Sequence, residues 1–118
     1  MYYRAIRGAI TVKENTLEAI LEETSILLET IMAENQIGSD DLVSILFTTT
    51  PDLTAAFPAK AARRLGLSDT PLMCAQELDV KGALPRCIRV MIHAYTSKSK
   101  QEIKHIYLNE AVSLRVDA

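Results

Sequence analysis

Between positions 17 and 32, apolar side chains recur with the period of an α-helix. The spacing of three and four residues places them on one face, at Leu17, Ile20, Leu21, Thr24, Leu27, Leu28, Ile31 and Met32. Glutamates occupy many of the positions between them, so the stretch predicts one long amphipathic helix. Asn15 with Glu18 predicts a capping box at its start, and Gly38 predicts the left-handed residue that ends it.

Strands are predicted before and after this helix. Residues 3–12 alternate, with Ile6 on the apolar side and Arg7 on the other, so Arg7 should point away from the core. Residues 87–95 alternate in the same way and place Arg89 opposite the apolar side. Both arginines are therefore expected on the outer face of a sheet.

Three further segments complete the predicted sheet. Residues 42–49 form a continuous apolar and β-branched run, which predicts a strand that is buried on both faces. Residues 71–78 and 105–108 are predicted to be extended. The chain thus predicts an α/β (α+β) fold: a single domain over residues 1–118, with a mixed sheet of about five strands and one long amphipathic helix.

A turn and a short helix are predicted after the run at 42–49. Pro51 and Asp52 favour the turn. Pro58 suits the first position of a helix, and Gly66 suits the position just after its end.

Composition and charge exclude several functional classes. Apolar residues make up 48% of the chain and charged residues 24%, which is typical of a folded globular protein. The net charge of −2 provides no cationic field for nucleic acid or for an anionic membrane. Neither a signal peptide nor an apolar run of about 20 residues occurs. Cys74 and Cys87 are too few for a disulfide framework, so we expect a cytoplasmic protein with reduced thiols.

No motif of metal, cofactor or nucleophilic chemistry is found. The four glycines form no phosphate-binding loop. His93 and His105 lack Cys or carboxylate neighbours at metal-ligand spacing, so neither a metal nor a cofactor is predicted. No histidine can be identified that would activate Cys74 as a nucleophile.

Arg7 and Arg89 lie in apolar strands, where burying an unpaired guanidinium would be costly. Glu77 and Asp79 could pair with them inside the protein. Alternatively, the arginines converge on a pocket for a small dicarboxylate, since guanidinium groups bind carboxylates through two hydrogen bonds. The short helix carries three cations, Lys60, Arg63 and Arg64. They either form a solvated surface or contribute to the same pocket.

Several separated blocks resemble one enzyme family over nearly the whole chain. They are RAIRGA at 4–9, TPDL at 50–53, AFPAKAAR at 56–63, CAQELDV at 74–80, CIRVM at 87–91, HIYL at 105–108, AV at 111–112 and LR at 114–115. In this order and spacing they are similar to the monofunctional bacterial chorismate mutases of the trimeric, barrel-like α/β type.

The resemblance implies conversion of chorismate to prephenate by a [3,3] Claisen rearrangement, on the branch leading to phenylalanine and tyrosine. Such a pericyclic step needs no nucleophile, metal or cofactor. It can use positioning of a flexible substrate and stabilisation of the charge that develops on the breaking ether oxygen. The resemblance further implies a homotrimeric pseudo-α/β-barrel with active sites between neighbouring subunits.

Matching positions give implied roles to individual residues, of which Arg89, Glu77 and Arg7 are the catalytic ones. Arg89 resembles the donor to the ether oxygen, Arg7 the arginine that binds a carboxylate, and Tyr107 the phenol that assists Arg7. Glu77 and the Cys74 segment match positions that meet the ring hydroxyl. The other implied contacts are an apolar wall at Phe57, peripheral cations at Lys60, Arg63 and Arg115, and binding positions at Ala59, Met73 and Leu114.

Two features depart from the family pattern. Met73 stands where a small hydroxyl residue is common, which removes a side-chain contact and keeps a backbone one. The sequence ends three residues after Arg115, so we expect little tail to close over the site. Two alternatives remain at this point: a trimer that binds a carboxylate metabolite without turnover, and a small trimeric hydrolase of imines, for which no water-activating motif occurs.

Overall fold

A five-stranded mixed sheet forms the centre of the computed structural model, which describes residues 1–115. Its strands are β1 (Tyr2–Thr11), β2 (Leu42–Thr49), β3 (Leu72–Gln76), β4 (Cys87–Thr96) and β5 (Ile106–Leu108). Their order across the sheet is β3-β2-β4-β1-β5. Strand β4 is antiparallel to β1 and β2, whereas β5 is parallel to β1 and β3 is parallel to β2. The predicted mixed sheet and its five strands are confirmed.

One face of this sheet is covered by the predicted long helix, α1 (Leu17–Glu34). A single apolar cluster joins the two layers, with Ile6, Ile10, Ile45, Phe47, Ile88 and Ile92 from the strands and Ile20, Leu27, Leu28 and Ile31 from α1. The remaining helical segments are α2 (Ala59–Arg64) and two 3₁₀ turns at Ser39–Asp41 and Asn109–Leu114. Among residues 1–115, no helix has the length and apolar character that crossing a bilayer requires.

Gly8 allows α1 to lie close against β1. A Cβ atom at Gly8 would stand 2.5 Å from Cδ1 of Ile31 and 3.2 Å from Cδ1 of Leu27. Since protein interiors are packed as densely as organic crystals, no methyl group fits there unless the helix side chains move. The glycine therefore sets the distance between the helix and the strand that carries Arg7.

The start of α1 differs from the prediction. Thr16 is the N-cap, and its Oγ1 accepts a hydrogen bond from the N–H of Ala19 at 3.1 Å. The predicted capping residue, Asn15, instead accepts hydrogen bonds from the N–H groups of residues 54 and 55, both at 3.0 Å. The predicted capping box with Glu18 is therefore wrong, because a tertiary contact takes the Asn15 side chain.

The end of α1 also differs from the prediction. Gln36, with φ of 50°, is the left-handed residue, whereas Gly38 is extended at −94°. The helix ends early because the buried Asn35 bonds the backbone of Lys104 through both side-chain atoms, at 2.9 Å and 2.8 Å. Asn35 is the C-cap of α1, with its N–H still donating to the carbonyl of Ile31 at 3.2 Å, and Gly38 lies beyond the end of the helix.

Strand β2 is buried on one face only, which corrects the expectation of burial on both. Ile45 and Phe47 lie in the core, whereas Leu46 is 37% exposed and Thr48 is half-buried. The run has no polar alternation, but α1 covers only one face of the sheet within a single chain. The opposite face, hereafter the open face, also exposes Tyr3, Tyr95 and Met73.

The short connections largely follow the sequence signals. Pro51 and Asp52 form the predicted turn, and Gly66, with φ of 86°, follows α2. Pro58 has helical dihedral angles and stands immediately before the first residue of α2. The turn is tied to the start of β4, where Asp52 accepts the N–H of Arg86 at 2.9 Å.

Candidate active site

Arg7 and Arg89 project from neighbouring strands onto the open face. In the antiparallel pairing of β1 with β4, Arg7 lies opposite Met91 and Arg89 lies opposite Ala9. Side chains of paired residues share a face, so the two guanidinium groups occupy adjacent rows. Arg7 is exposed, and the side chain of Arg89 is 46% exposed. The burial cost expected from the sequence is therefore not incurred in a single chain, because solvent reaches both side chains.

Glu77 approaches Arg89 from the end of β3. Its N–H donates to the carbonyl of Thr49 at 2.8 Å, which extends the pairing of β3 with β2. Its Oε1 lies 3.9 Å from Nε of Arg89, an ion pair that is longer than a hydrogen bond. Among residues 1–115, neither Asp79 nor any other carboxylate forms an ion pair with Arg7. Of the internal pairings predicted, only that of Glu77 with Arg89 is present in this part of the chain.

These side chains line one cavity of about 290 Å³ on the open face, hereafter the arginine cavity. Tyr107 of β5 is paired with Ala9 and brings its phenol to the same place. The cavity is lined by Arg7, Gly8, Ala9, Leu46, Thr48, Glu77, Arg89, Val90, Met91, Tyr107 and Leu114. Two guanidinium groups, one carboxylate and one phenol suit a small anion that also carries hydroxyl groups.

Two groups near the arginines have pKa values that differ from their ordinary values. Burial raises the pKa of the Cys87 thiol; the Arg89 charge opposes this effect and Glu77 adds to it. The thiol therefore stays protonated at neutral pH and provides no thiolate nucleophile. Burial, together with the charge of Arg7, lowers the pKa of His105. The neutral imidazole accepts a hydrogen bond at Nδ1 from the N–H of Arg7 at 3.0 Å.

A second cleft of about 530 Å³, hereafter the Phe57 cleft, lies between the 49–58 segment and β3. Phe57 is 73% exposed there, and Cys74 lines the same cleft. Lys60 and Arg63 stand nearby in sequence on α2, are both exposed, and form no ion pair among residues 1–115. Lys60 and Arg63 line neither cleft, and most of the other predicted site residues divide between these two separate clefts of one chain.

The remaining predicted site residues line neither cleft. Ala59 is buried in the core at the start of α2. Met73 is 67% exposed on the open face, where it pairs with Leu46. Arg115 follows the last 3₁₀ turn, and its N–H donates to the carbonyl of Val112 at 3.1 Å. The expected tail after Arg115 lies outside the described residues.

The sequence analysis missed several lining residues of the arginine cavity, namely Gly8, Ala9, Leu46, Thr48, Val90 and Met91. Ala9 and Met91 share the strand parity of Arg7 and Arg89, so the alternation alone could have indicated them. Thr48 and Leu46 could be found only from the pairing of β2 with β4, which a single sequence does not contain. No group of three or more His, Cys, Asp or Glu residues that could hold a metal ion occurs in residues 1–115.

Comparisons with known proteins agree with this geometry. The family model described as chorismate mutase type I matches residues 3–118. The chorismate mutase AroH of Bacillus subtilis is 48% identical over 118 residues, which cover 99% of this chain and 93% of that relative. The chorismate mutase AroH of Thermus thermophilus is 49% identical over 115 residues, covering 97% of this chain and 94% of that relative.

A solved structure gives the same result. The chorismate mutase from Clostridium thermocellum superposes with a TM-score of 0.92 at 53% sequence identity, and the match covers 93% of this chain and 98% of that one. The fold and the sequence therefore agree over nearly the full length. The chain belongs to the type I chorismate mutase family and is an isomerase.

Proposed function

We propose that this protein converts chorismate to prephenate by a [3,3] Claisen rearrangement, in the synthesis of phenylalanine and tyrosine. The observation that carries the proposal is the convergence of Arg7 and Arg89 on one cavity of about 290 Å³. Chorismate is a dicarboxylate, and two guanidinium groups bind such an anion through paired hydrogen bonds. The rearrangement breaks an ether C–O bond and forms a C–C bond within one molecule, so it needs no external nucleophile.

In this proposal, Arg89 donates to the ether oxygen as negative charge develops there. A donor that is held in place before the reaction stabilises the transition state more than the ground state. Arg7, assisted by Tyr107, binds a carboxylate and holds the enolpyruvyl chain over the ring. Glu77 meets the ring hydroxyl, and its carboxylate keeps Arg89 close through the 3.9 Å ion pair.

The complete site is proposed to lie between two subunits of a homotrimer. Within one chain, Phe57 and Cys74 lie in a cleft separate from the arginine cavity. Phe57 is 73% exposed, which is unusual for an aromatic wall of a finished pocket. Packing the Phe57 cleft of one subunit against the arginine cavity of the next would bring the divided residues together. Lys60 and Arg63 of the same subunit would then add positive charge at the entrance.

The proposal also covers the extent and location of the protein. One chorismate mutase domain is proposed to extend over residues 1–118, in line with the family match at 3–118. Cys74 and Cys87 are both free thiols, which suits the reducing cytoplasm.

The test is the loss of chorismate's ultraviolet absorbance on addition of the purified protein, with prephenate identified as the product. Replacing Arg89 by Ala removes the donor, and replacing it by Lys keeps the charge but loses the planar fork. Both substitutions should lower kcat by about 10²–10³-fold. Arg64→Lys is the matched control, since Arg64 is exposed on α2 and lines neither cleft. A parent that binds prephenate without converting chorismate would identify a carboxylate-binding module instead of an enzyme.

A further inference from the structure

The hydroxyl of Thr48 is an unexplained polar group inside the arginine cavity. Among residues 1–115, its Oγ1 is the one buried side-chain oxygen or nitrogen that has no hydrogen-bond partner. Leaving a buried hydroxyl without a partner costs about 1–3 kcal/mol, so such groups need an explanation. Nothing in the roles proposed above uses this residue.

The sheet pairing restricts which groups could become its partner. Thr48 lies between Ala75 on β3 and Arg89 on β4, and the three side chains share the open face. Ala75 offers only a methyl group. The hydroxyl of Thr50, which follows the end of β2, donates to Oδ1 of Asp52 at 2.5 Å. Of the two residues paired directly with Thr48, Arg89 is the one that carries a side-chain donor.

Within residues 1–115, the Arg89 side chain has two polar contacts, a long ion pair with Glu77 and a side-chain hydrogen bond with Cys87. Its Nε lies 3.9 Å from Glu77, beyond hydrogen-bond distance, and its side chain is 46% exposed. A guanidinium group carries five N–H donors, so it can contact a ligand and still donate to a neighbouring hydroxyl. The Oγ1 atom is out of contact with solvent, so water does not supply its missing hydrogen bond.

We propose that Thr48 is a positioning residue for Arg89. When an anionic ligand occupies the cavity, the Thr48 hydroxyl accepts a hydrogen bond from the Arg89 guanidinium and fixes its direction toward the reacting ether oxygen. The inference rests on the proposed function, because it assigns Thr48 a part in that same reaction. Its effect belongs to kcat rather than to substrate capture, since Arg7 has no contact with Thr48 across the sheet pairing.

The test compares Thr48→Val, which keeps the side-chain shape, with Thr48→Ser, which keeps the hydroxyl. Loss of a hydrogen bond to a charged group should lower kcat by about tenfold in the Val variant, with KM changed by less than about twofold. The Ser variant should recover most of the parent's kcat. The thermal midpoint of the Val variant should equal or exceed that of the parent, because an unpaired polar atom is removed. A merely structural role would lower the midpoint and leave kcat unchanged.

A double-mutant cycle tests whether the effect passes through Arg89. In the Arg89→Lys background, Thr48→Val should change kcat by less than about twofold, because the planar donor is already gone. Thr30→Val, on α1 and outside the cavity, serves as the control and should leave kcat unchanged. Independent, multiplicative effects of Thr48→Val and Arg89→Lys would overturn the inference, as would a Val variant with the parent's kcat.

The two proposals fail in different ways. If the parent converts chorismate and Thr48→Val does so equally well, only the role of Thr48 is wrong. If the parent does not convert chorismate, the proposed function is wrong, and the role of Thr48 is overturned with it, because that role is a part in the same reaction.

Discussion

His105 links the protonation of one side chain to the placement of a proposed catalytic residue. Its Nδ1 accepts the backbone N–H of Arg7 at 3.0 Å, which only the neutral ring can do. Burial and the Arg7 charge lower the pKa of His105 below its ordinary value of 6.5. The unfolded chain therefore binds this proton at a higher pH than the folded chain does.

The stability of the fold should depend on pH through this residue. Above about pH 6.5 both states are neutral at His105, and its contribution is complete. As the pH falls below that value, the unfolded chain takes up a proton first, so the free energy of unfolding decreases. Denaturant unfolding from about pH 8 to about pH 5.5 should show a steeper loss for the parent than for His105→Asn, which keeps an acceptor and does not titrate. Parallel curves would contradict the assignment, since His93 is present in both proteins.

At the scale of elements, Asn35 joins the end of α1 to the segment that leads into β5. Its side chain is fully buried, donates to the carbonyls of Ile31 and Lys104 at 2.9 Å, and accepts the N–H of Lys104 at 2.8 Å. Asn35→Ala removes the partners of the Lys104 N–H and carbonyl, whereas the Ile31 carbonyl keeps the backbone N–H of residue 35, and it should lower the free energy of unfolding by about 2–3 kcal/mol. Because β5 carries Tyr107, activity should also become more sensitive to temperature.

Glu34 provides the matched control for Asn35. It also connects α1 to Lys104, through an ion pair of 3.8 Å, but both side chains are more than half exposed. Water competes for such a pair, so Glu34→Ala should change the free energy of unfolding by no more than about 1 kcal/mol. Equal losses of unfolding free energy in urea for the two substitutions would show that the buried amide stabilises the fold no more than the exposed ion pair does.

The elements themselves were largely predictable from sequence, whereas their ends and their pairing were not. The helical and alternating periods indicated α1, β1 and β4, because these periods are local properties of the chain. The helix ends were predicted wrongly because the side chains of Asn15 and Asn35 hydrogen-bond backbone groups that are distant in sequence. A side chain that could cap a helix locally thus makes a long-range hydrogen bond instead.

The composition of the candidate site shows the same limit. The arginines could be placed on one face from alternation alone, and their roles came from the family resemblance. That Glu77 and Thr48 flank Arg89 depends on the register of β2 with β3 and β4, which long-range packing sets. The separation of Phe57 from the arginine cavity could not be predicted from sequence, because it depends on how the 49–58 segment folds back.

At the scale of the whole molecule, the open face is the side of the sheet that no helix of the same chain covers. Leu46, Met73, Tyr3 and Tyr95 are each at least one-third exposed on it. Soluble monomers seldom expose a continuous apolar face of this kind, and such a face usually contacts a partner. Association of identical chains through it would cover these side chains and join the two clefts, as proposed above.

Mixing two inactive variants tests whether each site is built from two chains. Arg89→Ala damages the arginine cavity and leaves the Phe57 cleft intact, while Phe57→Ala does the reverse. Random co-assembly of equal amounts into closed rings gives about a quarter of the interfaces an intact cavity beside an intact cleft. Chorismate conversion by the co-refolded mixture should therefore clearly exceed the sum of the two variants measured apart. Arg89→Ala mixed with Arg7→Ala is the control: both changes damage the same cavity, so this mixture should recover nothing. If the first mixture also recovers nothing while native mass spectrometry, with a mass tag on one variant, shows mixed trimers, the site lies within one chain, and Phe57 belongs to a different function of the fold.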